Sequence, residues 1–168
     1  MSCQRARQST MNSLAKIDEI FIRPMHQEDL HDVMLIENAS FPSPWPRNLF
    51  IRELGNPISD LFVAMSSGRA GDLVLGYIVC WLVAGDVHIH NVAVHPHFRR
   101  GGIASALLEY VLSYYQQRGA QTIYLEVREQ NRPAQELYKK FQFHPVGLRH
   151  RYYSDTEEDA IVMQRPIV

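Results

Sequence analysis

The fold is decided by a stretch that reads Val94-His95-Pro96-His97-Phe98-Arg99-Arg100-Gly101-Gly102-Ile103-Ala104. A strand stops at the proline, and a basic, glycine-rich turn then opens an amphipathic helix. The first turn of a helix has backbone N–H groups without intrahelical partners, and the helix dipole adds partial positive charge there. The two glycines let an anion approach these donors, and the two arginines add charge-assisted hydrogen bonds. The turn is therefore a candidate pyrophosphate site.

The composition is that of an ordinary globular domain. The chain has 168 residues, 46% of them hydrophobic, and a net charge of -1. No apolar stretch approaches the roughly 18 residues that span a bilayer, and the basic N-terminus lacks the apolar centre of a signal peptide. We therefore expect a cytoplasmic protein that adheres neither to membranes nor, through a broad basic surface, to nucleic acids.

The chain divides into a tail and one domain. Residues 1–18 are polar and lack periodicity, which predicts a flexible N-terminal extension, and residues 19–168 are expected to form a single domain. Cys3 lies in this tail and Cys80 in an apolar run, so a structural disulfide is not expected.

The periodicity of apolar residues after the tail alternates between strand and helix spacing. The predicted strands span residues 20–23, 60–65, 73–83, 87–94, 122–127, 145–150 and 160–164. The predicted helices span 29–38, 47–54, 103 to the break at Gly119, and 133–141. This order predicts an α/β sandwich, with a mixed central sheet of about seven strands and about four helices packed on its faces.

Two segments after the glycine-rich turn carry candidate chemistry. Strand alternation sends Tyr124, Glu126 and Arg128 to the face opposite the apolar residues of the same strand. A glutamate there usually faces solvent or pairs with a neighbour. In the next helix Tyr138 shares an apolar stripe, where a tyrosine is usually part of the core, and Asn131 stands where an N-terminal cap is expected.

The histidines and tryptophans are less informative. His88 and His90 share a strand face, and His95 and His97 flank Pro96, but no cysteine or carboxylate completes a metal-binding set, so no metal is expected. Trp45 lies in a loop held by three prolines and could line a substrate cleft.

Two of these motifs resemble the GNAT superfamily of N-acetyltransferases. Residues 99–104 match its acyl-CoA loop, Q/R-x-x-G-x-G/A, and the run from Asn131 to Tyr138 looks like its N-x-x-A-x-x-L-Y motif. The resemblance covers about residues 20–166 and implies the GNAT fold, with acetyl-CoA as co-substrate and no metal. It implies that the cofactor-binding residues are Val92, Ala93, Val94, Arg99, Arg100, Gly101, Gly102, Ile103, Ala104, Ser105 and Asn131.

Within the superfamily, four segments resemble the bacterial enzymes that acetylate the N-terminal amine of a ribosomal protein. They are residues 41–45, 125–128, 151–153 and 158–163. The resemblance implies that Glu126 acts as general base through water and that Tyr138 acts as general acid toward the coenzyme sulfur. It also implies direct attack in a ternary complex with the N-terminus of a ribosomal protein or similar peptide.

Two alternatives stay open from the sequence. A GNAT enzyme that acetylates a lysine or a small-molecule amine would share the coenzyme site but differ at residues 41–45 and 149–153. A third interpretation is a non-catalytic acyl-CoA-binding module. The presence of both Glu126 and Tyr138 argues against it.

One position departs from the family, because Gln142 stands where a glycine usually ends the helix. A left-handed cap there would cost on the order of 1 kcal/mol, so the helix end is a candidate for rearrangement.

Overall fold

A computed structural model describes residues 19–67 and 72–167. The predicted extension at residues 1–18 and Cys3 lie outside the described residues. One sheet holds the strands β1 (Glu19–Pro24), β2 (Ser59–Ser67), β3 (Leu73–Val83), β4 (Asp86–Val94), β5 (Thr122–Arg128), β6 (His144–Tyr153) and β7 (Glu158–Pro166). The helices are α1 (Leu30–Ser40), α2 (Arg47–Leu54), α3 (Ile103–Gln116) and α4 (Arg132–Lys140), and short 3-10 turns precede α1 and α3.

The sheet has the order β1-β2-β3-β4-β5-β7-β6. Only β4 and β5 pair in parallel, and the other neighbours are antiparallel. The predicted fold class, a mixed seven-stranded sheet with four helices, is confirmed. The largest boundary difference is at β6, which runs three residues beyond its predicted end because a bulge between Arg149 and Tyr153 interrupts the alternation that marks a strand.

The helices cover both faces of the sheet because alternate strand residues face opposite sides. In β2, Phe62 and Ala64 pack with α3 and α4, whereas Leu61, Val63 and Met65 pack with α1 and α2. The predicted alternation of β5 is confirmed, since Ile123, Leu125 and Val127 are buried and the residues between them are half-buried.

The strands β4 and β5 part at the centre of the sheet. Their parallel pairing runs from Asp86↔Thr122 to Ile89↔Leu125, although β4 continues to Val94 and β5 to Arg128. A bulge at His90 accompanies the separation, because Val79 pairs with Asn91 and Cys80 with Ile89. The parting opens the middle of the sheet and positions the site described below.

A close approach of three elements fixes the start of α3 beside this opening. A Cβ on Gly76 would lie 2.8 Å from the Ala93 carbonyl oxygen and 3.3 Å from Ile103 Cγ2, so only glycine lets β3, β4 and α3 meet there. None of the helices within residues 19–67 and 72–167 has the length and apolarity needed to cross a membrane.

The end of α4 keeps its left-handed turn without a glycine. Gln142 has φ 65°, and the Phe143 N–H donates to the Tyr138 carbonyl oxygen at 3.0 Å. This bond closes the helix as glycine-ended helices do, so the helix end is not rearranged. It also fixes Phe143 against the Tyr138 ring, whose centroid is 5.9 Å away.

Candidate active site

Two adjoining cavities occupy the opening between β4 and β5. We call the larger, of about 780 Å³, the carboxylate cavity, because Glu37, Glu126, Asp155 and Glu158 line it. We call the other, of about 620 Å³, the glycine-loop cavity, because residues 99, 100 and 102–105 line it. The two share six lining residues, which are Ser40, Phe41, Val92, Asn131, Ala134 and Tyr138. A molecule that reached through this shared wall would contact both sites.

The glycine-loop cavity faces the N-terminus of α3. Arg100 and Gly102 have φ values of 63° and 82°, and this left-handed pair turns the chain into the helix. A Cβ on Gly102 would have nothing within 4 Å, so the approach to the first helical N–H groups is open. Gly101 does not line the cavity, and its hypothetical Cβ would lie 3.1 Å from the Phe98 carbonyl oxygen. Every other residue of the expected coenzyme site does line it.

The end of β4 supplies a backbone edge to the same cavity. Residues Val92, Ala93 and Val94 pair with β3 on one side. Their other side faces the cavity, because the pairing of β4 with β5 stops at Ile89. Backbone N–H and C=O groups on such an edge can bind an extended chain that carries amides.

The Arg99 side chain forms hydrogen bonds with two other elements of the chain. Its Nε donates to the Val94 carbonyl oxygen at 3.1 Å, and its Nη2 donates to Ser40 Oγ at 2.9 Å. Arg99 thus joins the end of β4 to the end of α1. Both Arg99 and Arg100 line the glycine-loop cavity.

Tyr138 lies in the wall that the two cavities share. It is 6% exposed, and burial raises the pKa of its phenol above the ordinary value, with a further contribution from Tyr153. The raised pKa keeps the phenol protonated at neutral pH, which is the state that a proton donor requires. A tyrosine of the helical stripe therefore packs in the core and also reaches the site.

Glu126 lies on the side of the carboxylate cavity formed by β5. Its side chain is 16% exposed, and Oε1 pairs with Arg149 Nη2 of β6 at 3.2 Å. Arg149 is 55% exposed and also approaches the Tyr152 ring, with 5.4 Å between the guanidinium carbon and the ring centroid. The carboxylate thus has a cationic partner that is largely in solvent.

Asn131 caps α4 and also lines both cavities. Its Oδ1 accepts the Ala134 N–H at 3.2 Å, as an N-terminal cap does. The buried Gln135 fixes the same helix to the end of β5 by donating from Nε2 to the carbonyl oxygens of Arg128 and Glu129 at 3.1 and 2.7 Å. These bonds hold Tyr138 at a set distance from β5.

A buried carboxylate that sequence reasoning missed organises the far wall. Glu37 is 1% exposed and accepts hydrogen bonds from the Tyr77 hydroxyl, from Asn91 Nδ2 at 3.1 Å and from the Trp45 N–H at 2.7 Å. Burial and the charge of Glu37 raise the pKa of Tyr77, so its phenol remains a donor. The sequence signal was a glutamate within the apolar stripe of α1. Glu37 anchors the proline-held loop and places Trp45 in the carboxylate cavity, as the sequence suggested.

A second missed cluster closes the cavity on the side of β6 and β7. Arg128 donates to Asp155 at 2.8 and 3.1 Å and to Glu158 at 3.3 Å, and its guanidinium lies 3.9 Å from the centroid of the Tyr153 ring. Burial raises the pKa of Tyr153 to about 12. Two of the carboxylates that line the cavity are therefore already paired with this arginine.

The described cysteine is not available as a nucleophile. Cys80 is buried, and burial together with the charge of Asp60 raises the pKa of its thiol, which keeps it from acting as a thiolate. Within residues 19–67 and 72–167, no three His, Cys, Asp or Glu side chains are grouped to hold a metal ion.

Comparisons with known proteins agree with this geometry. A family model described as Acetyltransferase (GNAT) family matches residues 30–143. A Bacillus subtilis (strain 168) protein named "Putative [ribosomal protein bS18]-alanine N-acetyltransferase" is 38% identical over 143 residues, which cover 84% of this chain and 92% of that protein. The Escherichia coli (strain K12) [ribosomal protein bS18]-alanine N-acetyltransferase is 30% identical over 148 residues, or 87% and 97% of the two chains.

A solved structure extends the similarity to three dimensions. The crystal structure of the ribosomal-protein-S18-alanine N-acetyltransferase from Escherichia coli matches with a TM-score of 0.80 and 29% sequence identity. The match covers 89% of this chain and 94% of that one. The similarity therefore extends over most of the fold.

Proposed function

This chain belongs to the GNAT family of acetyltransferases and is an acetyl-CoA-dependent N-acetyltransferase, and we propose that its acceptor is the N-terminal α-amine of a ribosomal protein. The observation that carries the proposal is the meeting of the two cavities at Tyr138, with an anion site on one side and carboxylates on the other. Relatives named for acetylation of ribosomal protein bS18 support the choice of acceptor.

In this proposal acetyl-CoA occupies the glycine-loop cavity. Its pyrophosphate meets the N-terminus of α3 and Arg100, because unpaired N–H groups and the helix dipole favour an anion there. Its pantetheine arm carries two amides and runs along the open edge of Val92, Ala93 and Val94. The thioester then lies at the shared wall beside Tyr138.

The acceptor enters from the carboxylate cavity. An α-ammonium group is attracted by Glu126, since Asp155, Glu158 and Glu37 are already held by donors of the chain. Glu126 removes a proton from the ammonium through a water molecule and leaves a neutral amine.

The transfer itself requires one bond to form and one to break. The amine nitrogen attacks the thioester carbonyl carbon directly in the ternary complex, and the C–N bond forms. The C–S bond then breaks, and Tyr138 protonates the leaving thiolate and regains its proton from solvent. The nitrogen gives up its second proton to Glu126, which has by then released the first proton to solvent. The products are the N-acetylated chain and free coenzyme A, so no covalent acetyl-enzyme forms.

Amine basicity favours an N-terminus over a lysine. An α-amine has a pKa of about 7.7 to 8.0, so a sizeable minority is neutral near pH 7.4, whereas lysine at about 10.4 is neutral on the order of one part in a thousand. Removing a proton from an α-ammonium group costs less free energy than removing one from a lysine ammonium group, so a base that acts through water deprotonates the α-amine more readily. The proposal therefore predicts selectivity for N-termini.

A pair of matched peptides tests the proposal. One starts with a free alanine, and the other has a blocked N-terminus and one internal lysine in the same sequence. Incubation with acetyl-CoA, followed by mass spectrometry, should locate the acetyl group on the alanine amine, and intact ribosomal proteins from the same organism should show which N-terminus is preferred. Preferential acetylation of the lysine peptide would contradict the proposal and favour a lysine acetyltransferase.

A further inference from the structure

A polar bridge joins the two sites at a point that the transfer chemistry does not use. Arg99 belongs to the glycine loop, but its side chain donates hydrogen bonds to the Val94 carbonyl oxygen and to Ser40 Oγ, 59 residues away in sequence. A guanidinium has five N–H groups in a rigid fork, so it holds two partners at a fixed separation. The bridge therefore ties the position of the loop to the end of α1.

The far end of the bridge controls the loop that lines the acceptor side. Ser40 is the last residue of α1 and lines both cavities. One turn earlier, Glu37 holds the backbone of both Phe41 and Trp45, through its carbonyl oxygen at 3.1 Å and its carboxylate at 2.7 Å. A shift at Ser40 would therefore be felt by residues 41–45.

The near end of the bridge depends on the loop conformation. Arg99 directly precedes Arg100, whose φ of 63° is unfavourable for a residue with a side chain. An anion bound at the N-terminus of α3 would stabilise this turn, because the turn is what aims the N–H groups at the anion. The direction in which Arg99 leaves the backbone is then set by the occupied loop.

We propose that Arg99 is a positioning residue that couples coenzyme binding to the acceptor site through Ser40, and not a ligand of the coenzyme phosphates. This inference rests on the proposed function, since it assigns the coenzyme to one cavity and the acceptor peptide to the other. Coenzyme binding stabilises the loop conformation, and the loop conformation orients Arg99. Arg99 in turn hydrogen-bonds to the end of α1, which leads into the Trp45 loop. By linkage, the peptide must strengthen coenzyme binding by the same factor.

The coupling is measured with coenzyme A, which carries the phosphates but no acetyl group. In the parent protein, saturating coenzyme A should tighten binding of an Ala-starting peptide by about fivefold or more. Ser40→Ala should bring this factor close to one while calorimetry gives an unchanged Kd for coenzyme A. Arg99→Lys should do the same, and the double variant should be no worse than either single variant, because all three lose the bond between Arg99 and Ser40. Ser113→Ala, a serine in the last turn of α3, is the matched control.

A second readout needs no peptide and separates this inference from the choice of acceptor. Hydrogen exchange at the Trp45 amide, measured by NMR, should slow when coenzyme A binds the parent or Ser113→Ala, and should not respond in Ser40→Ala. A Trp45 response that survives in Ser40→Ala, or that is missing in the parent, would overturn the coupling. A Kd for coenzyme A that weakens at least tenfold in Ser40→Ala or Arg99→Lys would instead make the pair coenzyme ligands and would also overturn it. If the Ala-starting peptide does not bind but the Trp45 response is intact, the proposed acceptor is contradicted and the coupling stands.

Discussion

The two cavities differ in how their charged groups are engaged. The glycine-loop cavity presents a helix N-terminus and Arg100, and a Cβ on Gly102 would have nothing within 4 Å. In the carboxylate cavity Glu37, Asp155 and Glu158 are bound by donors from other elements, and Glu126 has the exposed Arg149 as its partner. One cavity thus presents groups that favour an anion, whereas the other has a single carboxylate whose cationic partner is largely exposed.

The difference assigns distinct kinetic effects to the two sides. Changes in the glycine-loop cavity should alter the affinity for coenzyme, and changes at Glu126 should alter the rate and its pH dependence. Tyr138 lies in the shared wall, so its loss should reduce turnover without weakening either ligand. Four measurements test this division.

The largest effect is expected at the shared wall. Tyr138→Phe keeps the buried ring against Phe143 but removes the proton donor, so kcat should fall about 10- to 1,000-fold while the Kd for acetyl-CoA holds. Tyr110→Phe is the control, because Tyr110 packs on Phe62 away from both cavities and should retain parental turnover. A kcat for Tyr138→Phe within twofold of the parent would leave Tyr138 a core residue only.

The next effect concerns the base. Glu126→Gln should slow acetylation of an Ala-starting peptide by about 10- to 100-fold near pH 6.5, where the amine still carries its proton. The defect should shrink toward pH 9, because the amine then loses that proton without help. Rates across pH 6 to 9 should be compared with those of Glu129→Gln, a change just beyond the end of β5. A defect of constant size across this range would remove Glu126 from the base role.

The contrast between the cavities also explains which features the sequence predicted. The glycine loop is built from consecutive residues, and the cap of Asn131 and the alternation around Glu126 depend on neighbours within a few positions, so local rules suffice. The carboxylate cavity depends on contacts between distant segments. Glu37 meets Tyr77 and Asn91, 40 and 54 residues away, and no local pattern indicates such a pairing.

The two arginines of the loop show the same limit of local rules. Arg99 and Arg100 are adjacent in a motif, and charge alone suggests that both meet phosphate. Both arginines line the glycine-loop cavity, and Arg99 also donates to Ser40, 59 residues away in sequence. The sequence does not indicate this long-range contact, nor the left-handed φ of 63° at Arg100, which is uncommon for a residue other than glycine.

A smaller effect should therefore follow from Arg100 alone. Arg100→Asn removes the charge with a residue that tolerates left-handed φ, and loss of one charge-assisted bond should weaken acetyl-CoA binding at least about tenfold. Calorimetry with acetyl-CoA and dephospho-coenzyme A identifies the phosphate concerned, since the loss of a contact with the pyrophosphate weakens the binding of both ligands. Arg52→Asn on the exposed side of α2 serves as the control. An unchanged affinity in Arg100→Asn would break the division between the two cavities.

The smallest effect is expected at the pair that covers the base. The guanidinium of Arg149 and an incoming α-ammonium compete for Glu126, and a largely exposed ion pair contributes no more than about 1 kcal/mol. Arg149→Met keeps the length of the side chain without its charge, so the KM for the Ala-starting peptide should fall by up to about fivefold with little change in kcat. Arg149→Lys retains the charge and should resemble the parent. The difference between parent and Arg149→Met should diminish at about 0.5 M salt, because screening weakens the competing pair. A KM that rises in Arg149→Met and stays at the parental value in Arg149→Lys would show the opposite relation, in which the cation of Arg149 binds the acceptor. The carboxylate cavity would then be as preorganised as the glycine-loop cavity.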